Sequence, residues 1–398
     1  MRYASRLHRL GTETAFSVAV EAKTWENKGH KVYPFHLGDL NLSTPLNIQE
    51  AALKHMRDGK TGYCPSEGIP ELRDVLSQDV GFRRGVDYTA ENVVIQPGGK
   101  PTIWKFISAV MDRGDEVLYP NPGYPIYESQ IEYQGGVAKP YSYFETDKGF
   151  TIDIDQLKAS ISEKTKALIY NNYQNPTSAA SSKDEMEAIA EIAIKHDLWV
   201  LADDAYFEIR YDDEPPISIV SIPGMQERTA ILYTFSKKYA MTGWRIGGTI
   251  GPRKLIHHIA QINLNDESCT NHFLQWAMID ALTGDGNGSS RILSQLKDRR
   301  DVAMKSLNSI EGIQVAVPES TFYIFPNVTK LLNRKGILDI EQFRKKALVE
   351  TGVSFCTRKH FGRSFPGDES HFIRLAYSAI EIDDIHEGLE KFKAWIVS

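Results

Sequence analysis

The sequence predicts an α/β fold. A mostly parallel sheet of the seven-stranded type is flanked by helices and joined to a smaller α+β domain. Three observations point there. Short apolar runs at 91–96, 115–120, 166–172, 198–204 and 229–235 read as buried strands. Helical stretches of ten or more residues separate several of them, the spacing that a parallel crossover needs. From about residue 256 the pattern shifts to long helices, followed by only two strand candidates and a closing helix.

Taken in order, residues 1–45 read as an arm that folds back onto the smaller domain. A short helix at 15–23 precedes KVYPFHLGDLNLSTP, which is irregular and rich in turn formers. Residues 46–285 form the large domain. Within it the strand ENVVIQ leads through PGGK into the helical run PTIWKFISAVMDR, and a second helix is expected at 183–196. Residues 286–398 form the small domain. GDGNGSS breaks the helices, LSQLKDRRDVAMKSLNSI is amphipathic, and strands are expected at 313–317 and 371–377 before the helix IDDIHEGLEKFKAWI. There is no internal repeat.

Composition narrows the function classes. With 41% hydrophobic and 25% charged residues in 398, the chain is globular and long enough for a large core. A net charge of −6 argues against nucleic acid or an anionic membrane as partner. Cys64, Cys269 and Cys356 are odd in number and scattered, fitting neither a disulfide framework nor zinc spacing. A reducing compartment, the cytoplasm, is the expectation. The first residues are too polar for a signal peptide, and no apolar run reaches membrane-spanning length.

Ligands in open α/β sheets bind beyond the carboxyl ends of the strands, so polar residues closing a strand are the candidates. Four segments qualify. QPGGK leaves backbone N–H groups at a helix start around Gly99 and Lys100, suited to an anion and equally to a plain tight turn. It matches neither of the common nucleotide-binding loops, and GDGNG at 284–288 follows a helix and reads as a surface loop. NNYQNPTS carries Asn175-Pro176-Thr177, ordinarily turn chemistry. ADDAY offers Asp203 and Asp204, with Tyr206 close behind. Carboxylates at a strand end can hold metal, though no His or Cys cluster accompanies these, and a carboxylate facing a cationic ring nitrogen is the other option. TFSKK ends an apolar strand with two lysines, one of which can enter a pocket while its neighbour points away. A partly desolvated lysine is a nucleophile toward aldehydes. An aldehyde cofactor bearing a phosphate and a pyridine ring, pyridoxal 5'-phosphate, has the matching parts.

On these residues the chain resembles the class I and II aminotransferases, pyridoxal-phosphate enzymes of the aspartate aminotransferase fold, from about Gly38 to Arg374. TFSKKYAMTGWR resembles their lysine motif, in which an arginine lies eight residues beyond the Schiff-base lysine. That spacing selects Lys237, paired with Arg245, over Lys238. The resemblance implies phosphate contacts from Arg245, Ser236, Thr234 and the backbone around Gly99 and Lys100. It also implies a pyridine-nitrogen partner in Asp203, phenolic-oxygen partners in Tyr206 and Asn175, and a stacking ring in Tyr124 from PNPGYPIY. Tyr63, in GYCPSEGIPELR, would reach the phosphate of a neighbouring subunit, making a homodimer. Arg374 in HFIRLAYS and the backbone at Gly38 would hold the substrate carboxylate, and Lys100 stands where some relatives meet a distal carboxylate. Trp244 and Phe106 are assigned to the core.

The activity that the resemblance implies is a ping-pong exchange of an amino group between an L-amino acid and a 2-keto acid, of acidic or broad specificity, with Lys237 as tether and proton carrier. Several positions depart from the pattern. Ser178 replaces the glycine of Asn-Pro-Thr-Gly, Asp204 a glutamate and Thr234 a serine, and the first loop reads GDLN with His36 just upstream. Because the scaffold hosts other reactions, an oxygen-using amino acid oxidase or another non-transaminating enzyme is the alternative. The arm is too short for a DNA-binding module. Residues 13–17 are expected on the substrate side of the site.

Overall fold

The computed structural model describes residues 1–11, 14–212, 215–313, 315–365 and 369–398. In chain order its strands are β1 (Tyr33–Pro34), β2 (Val93–Gln96), β3 (Glu116–Asn121), β4 (Val137–Thr146), β5 (Gly149–Ile152), β6 (Thr165–Tyr170), β7 (Trp199–Asp203), β8 (Thr229–Thr234), β9 (Gly247–Ile250), β10 (Tyr323–Ile324), β11 (Val353–Ser354), β12 (Cys356–Thr357) and β13 (Ile373–Ala376). Eight of them make one sheet in the order β2-β9-β8-β7-β6-β3-β4-β5. Strands β8, β7, β6, β3 and β4 pair in parallel, β9 runs antiparallel between β2 and β8, and β5 folds back on β4 as an antiparallel edge.

Alternation along each strand divides the core between the two faces of this sheet. Val93 and Ile95 face Leu72, Leu76 and Val80 of helix Pro70–Arg84, together with Leu274 and Met278 of helix His272–Thr283. Val94 faces the opposite way, among Ile103, Phe106 and Ile107 of helix Lys100–Val110 and Ile256 and Ile259 of helix Arg253–Asp266. The strands buried on both faces are therefore near-continuous apolar runs, which is why they were readable.

Strands β4, β5 and β9 lie outside the expected set. β4 carries Pro140, tolerated because β5 pairs only from Tyr143 onward and leaves the Pro140 stretch an edge. β9 opens on Gly247-Gly248, which reads as a turn.

A second core joins Tyr33 and Phe35 of the arm to helices Asn287–Asn308, Ile340–Thr351 and Ile382–Val397 and to strands β10, β11 and β13. The closing helix buries Ile385, Leu389, Phe392 and Ile396, a single stripe at helical spacing, and places Asp383 and Asp384 in its first turn against the helix dipole. The strand expected at 313–317 is corrected: among its described residues none is in a strand, and Gln314 lies outside them. Ile313 is buried in a turn, Pro318 has no N–H to give a ladder, and Thr321 turns left-handed at φ +62°. Pairing with β13 begins only at Tyr323. Among the described residues no helix is long and apolar enough to cross a membrane.

Candidate active site

The carboxyl ends of β2, β6, β7 and β8 open onto a cavity of about 660 Å³. Lys237, Asp203, Tyr206, Asn175, Tyr124, Gly99, Lys100, Thr234, Ser236, Arg245, Gly38 and Arg374 all line it. Tyr63 does not. It is 90% exposed on the molecular surface.

Lys237 sits in the turn after β8, and its Nζ donates to the Gly38 carbonyl at 2.9 Å. Lys238 faces elsewhere, with its Nζ 3.8 Å from Glu208 and its pKa lowered chiefly by burial. The anion end of the cavity is built around the start of helix Lys100–Val110, whose first N–H groups have no carbonyl within the helix. Arg245 is held there by its donations to the Thr242 carbonyl at 2.9 Å and the Pro97 carbonyl at 3.2 Å. Gly98 has φ +94°, strained for any side chain, and a Cβ on it would push the Arg245 guanidinium out of its place. Thr234 Oγ1 and Ser236 Oγ lie 2.9 Å apart on the same rim.

Asp203 ends β7 and is buried. Burial pushes its pKa up to about 6, against the lowering effects of Tyr127 and the Ala205 N–H, which donate at 2.5 and 3.2 Å, and of the nearby Lys237 charge. A buried carboxylate with so little cationic compensation is suited to a cationic partner. Asp204 points the other way, into a buried pair with Arg84 at 2.8 Å. Tyr206 and Tyr323 share a hydrogen bond of 2.6 Å between their hydroxyls, and burial raises the Tyr206 pKa well above its ordinary value.

Arg374, on β13, is fixed before any ligand arrives. Its Nη1 donates to Asn175 Oδ1 at 2.9 Å and its Nη2 to the His36 carbonyl at 2.8 Å. The guanidinium carbon packs over two rings, 4.4 Å from the Tyr323 centroid and 4.6 Å from that of Phe361. Such a clamp presents a planar fork to a carboxylate.

Of the remaining expectations, Ala15 and Phe16 of the arm line the cavity, whereas Glu13 lies outside the described residues. His36 does not line the cavity: its side chain is buried, and burial with the Arg374 charge holds its pKa down to about 4. Phe106 is fully buried in the core on one face of the sheet, and Trp244 is partly buried against the core on the other. Among the described residues no His, Cys, Asp and Glu group is placed to hold a metal.

Sequence reasoning missed several lining residues: Asn171, Tyr127, Tyr323, His360 and Phe361. Tyr127 had a signal, since it lies three residues after Tyr124 at the start of helix Ile126–Gln134 and so faces the same side. Asn171 donates to the Asp203 carbonyl at 2.8 Å, a contact across neighbouring strands. His360 Nδ1 accepts the Thr357 N–H at 3.0 Å, and no sequence pattern announces it.

Comparison with known proteins agrees with this geometry. The family model described as aminotransferase class I and II matches residues 31–392. The chain is 32% identical to an asparagine–oxo-acid transaminase of Streptococcus mutans over 99% of both chains. It is 29% identical to an aspartate aminotransferase of Bacillus subtilis, over 100% of this chain and 99% of that one. Among solved structures, the aspartate aminotransferase from Rhizobium meliloti superposes with a TM-score of 0.92 at 28% identity, covering 100% of this chain and 99% of that one. Aspartate aminotransferase from Thermus thermophilus with maleate gives 0.89 at 27% identity, over 99% and 100%. These relatives bear transaminase names, which favours amino-group transfer over the oxidase alternative. The chain is an aminotransferase and belongs to the class I and II aminotransferase family, whose members work with pyridoxal phosphate.

Proposed function

We propose that this chain carries pyridoxal 5'-phosphate on Lys237 and exchanges the amino group of aspartate, asparagine or a similar polar L-amino acid with a 2-keto acid. The observation that carries this reading is the convergence of Lys237, Asp203, Arg245 and Arg374 on one cavity. The donor set fits the group: a helix start with Arg245, Ser236 and Thr234 for its phosphate, a buried carboxylate for its ring nitrogen, a tyrosine for its stacking face and an amine for its aldehyde. When bound, pyridoxal phosphate supplies an aldehyde that takes up amines and a cationic ring that accepts the electrons released at the substrate's α-carbon.

The protein's own residues do the rest. Arg374 binds the α-carboxylate with the help of the Gly38 backbone, which orients the α-carbon toward Lys237. The Lys237 amine would hold the cofactor by its aldehyde and, when free, would carry the proton from the substrate's α-carbon. Asp203 keeps the ring nitrogen protonated, with Tyr127 fixing the carboxylate. Tyr206 and Asn175 would donate to the phenolic oxygen. Lys100, 5.6 Å above the Tyr124 ring, lines the cavity where a distal polar group of the substrate would lie.

We further propose a homodimer. Tyr63 is exposed, and helix Leu46–Arg57 also exposes Leu46, Leu53 and Met56, a face suited to a second copy. The two cores support a division into arm 1–45, large domain 46–285 and small domain 286–398. Cytoplasmic placement and the absence of a nucleic-acid partner accord with three unpaired cysteines and the net charge of −6.

The test is a donor panel. Holoenzyme is given each of a series of amino acids with and without 2-oxoglutarate, and glutamate, keto acid, oxygen and peroxide are measured. Glutamate formed in step with the donor's keto acid, greatest for aspartate or asparagine, is the expected result. Turnover without an added keto acid, coupled to oxygen loss, would reject it.

A further inference from the structure

Ser178 stands where the family resemblance predicts glycine, and its backbone keeps the left-handed conformation that glycine adopts without strain, φ +59°. Thr321, opposite it, is left-handed as well at φ +62°. Two such residues persist only where their surroundings hold them. Their hydroxyl oxygens are 2.7 Å apart, Ser178 Oγ donates to the Tyr323 carbonyl at 2.8 Å, and the Tyr323 N–H donates to Thr321 Oγ1 at 3.2 Å. Each hydroxyl has one proton. Ser178 spends its proton on the Tyr323 carbonyl, so Thr321 gives its own to Ser178 and keeps a lone pair for the Tyr323 N–H. The result is a closed, buried ring of three hydrogen bonds, all in one sense, clasping both backbone polar groups of Tyr323.

The side chain so fixed touches two parts of the site. The Tyr323 hydroxyl is 2.6 Å from the Tyr206 hydroxyl, and the Tyr323 ring packs against the Arg374 guanidinium at 4.4 Å. A Cβ at residue 38 would overlap that hydroxyl, so Gly38 is what lets Tyr323 reach its place. We propose that Tyr323 is a positioning residue for both Tyr206 and Arg374, and that Ser178 and Thr321 set where it stands. Both effects rest on the roles given above to Tyr206 and Arg374. When Tyr206 spends its proton on the cofactor's phenolic oxygen, its own oxygen accepts from Tyr323. Accepting that bond makes Tyr206 a stronger donor.

Tyr323→Phe removes the hydroxyl and keeps the ring over Arg374. In a pH titration of the holoenzyme's visible absorbance, the midpoint of the lysine–cofactor link should rise by roughly half a pH unit, while maleate affinity stays within about twofold. Ser178→Gly relieves the backbone but opens the ring of hydrogen bonds. It should raise the same midpoint and weaken maleate about three- to tenfold, as the Tyr323 ring shifts off Arg374. In the double variant the midpoint should rise no further than in Tyr323→Phe alone. An unchanged midpoint in Tyr323→Phe, or Ser178→Gly leaving midpoint and maleate binding untouched, would overturn the assignment. Absence of the visible band in the wild-type protein loaded with pyridoxal phosphate would overturn the reading of the site and this assignment with it.

Discussion

Lys237 and Lys238 are consecutive in the chain, yet Lys237 donates to the Gly38 carbonyl at 2.9 Å inside the cavity while Lys238 pairs with Glu208 at 3.8 Å away from it. Both lie in the hydrogen-bonded turn that follows β8, and the turn directs Lys237 into the cavity and Lys238 toward Glu208, where it joins a buried charge cluster with Arg83, Arg84 and Asp79. Lys237→Ala should lose the visible cofactor band and at least about a thousandfold in kcat. Lys238→Ala should keep the band and most of the turnover. Steady-state rates and absorbance spectra of the two variants check this directly.

Arg374 is held by two hydrogen bonds and two rings, and the carboxylate-binding role proposed for it would be shared by every substrate. Arg374→Ala should cut kcat/KM by about a hundred- to a thousandfold for every amino acid that the enzyme accepts. Arg374→Lys should rescue little, because an ammonium can neither fork nor stack as a guanidinium does. Rescue to near wild-type kcat/KM by lysine would contradict the clamp.

Asp203 links the site to pH. Burial lifts it from an ordinary 3.8 to about 6, so the folded cofactor-free protein keeps a proton there that the unfolded chain has released. This group's contribution to stability is full below about pH 4 and is lost as pH rises through about 6. Asp203→Asn should therefore make the cofactor-free protein more stable by about 1–2 kcal/mol at pH 7.5, with little effect at pH 4, while abolishing transamination. Thermal melts of both proteins at the two pH values test it.

Tyr127 donates to Asp203 at 2.5 Å and lowers its pKa. In Tyr127→Phe that opposing effect is gone. The pH at which the cofactor-free protein loses this stability should move upward, and kcat should fall by about tenfold. A transition unmoved on the pH axis would show that the hydroxyl does not act on the carboxylate.

If Tyr63 serves the neighbouring subunit, two damaged chains can repair each other. A heterodimer of Tyr63→Ala and Lys237→Ala chains contains one site with both residues intact. Mixing the two variants under subunit exchange should recover up to about a quarter of wild-type activity, since half the dimers are mixed and half their sites are whole. No recovery despite mixed dimers, verified by mass spectrometry, would place Tyr63 outside the active site.

Much of this site was legible because its parts close strands. Asp203 ends an apolar run, Thr234 another, and the separation of Lys237 from Arg245 is a local spacing. The unread parts depend on contacts that no spacing encodes. Tyr127 meets Asp203 across 76 residues, and Tyr323 meets Tyr206 across 117. Ser178 was visible as a departure from a glycine position, but its compensation, Thr321, lies 143 residues away. Cys64 and Cys269, far apart in the chain, meet as thiols beside Thr270. In the fold, the buried parallel strands were the readable ones. β9 was hidden by its two glycines, and the short strand β10 was displaced from the expected 313–317 because pairing there begins only at Tyr323.

Everything proposed for the site turns on which lysine bears the cofactor, and borohydride reduction tests that most directly. The holoenzyme is reduced, digested with protease, and its peptides sequenced by mass spectrometry. A phosphopyridoxyl group on Lys237, with none on Lys238 or Lys100, is the predicted result. The same group on Lys238, on Lys100, or on no lysine at all would contradict it.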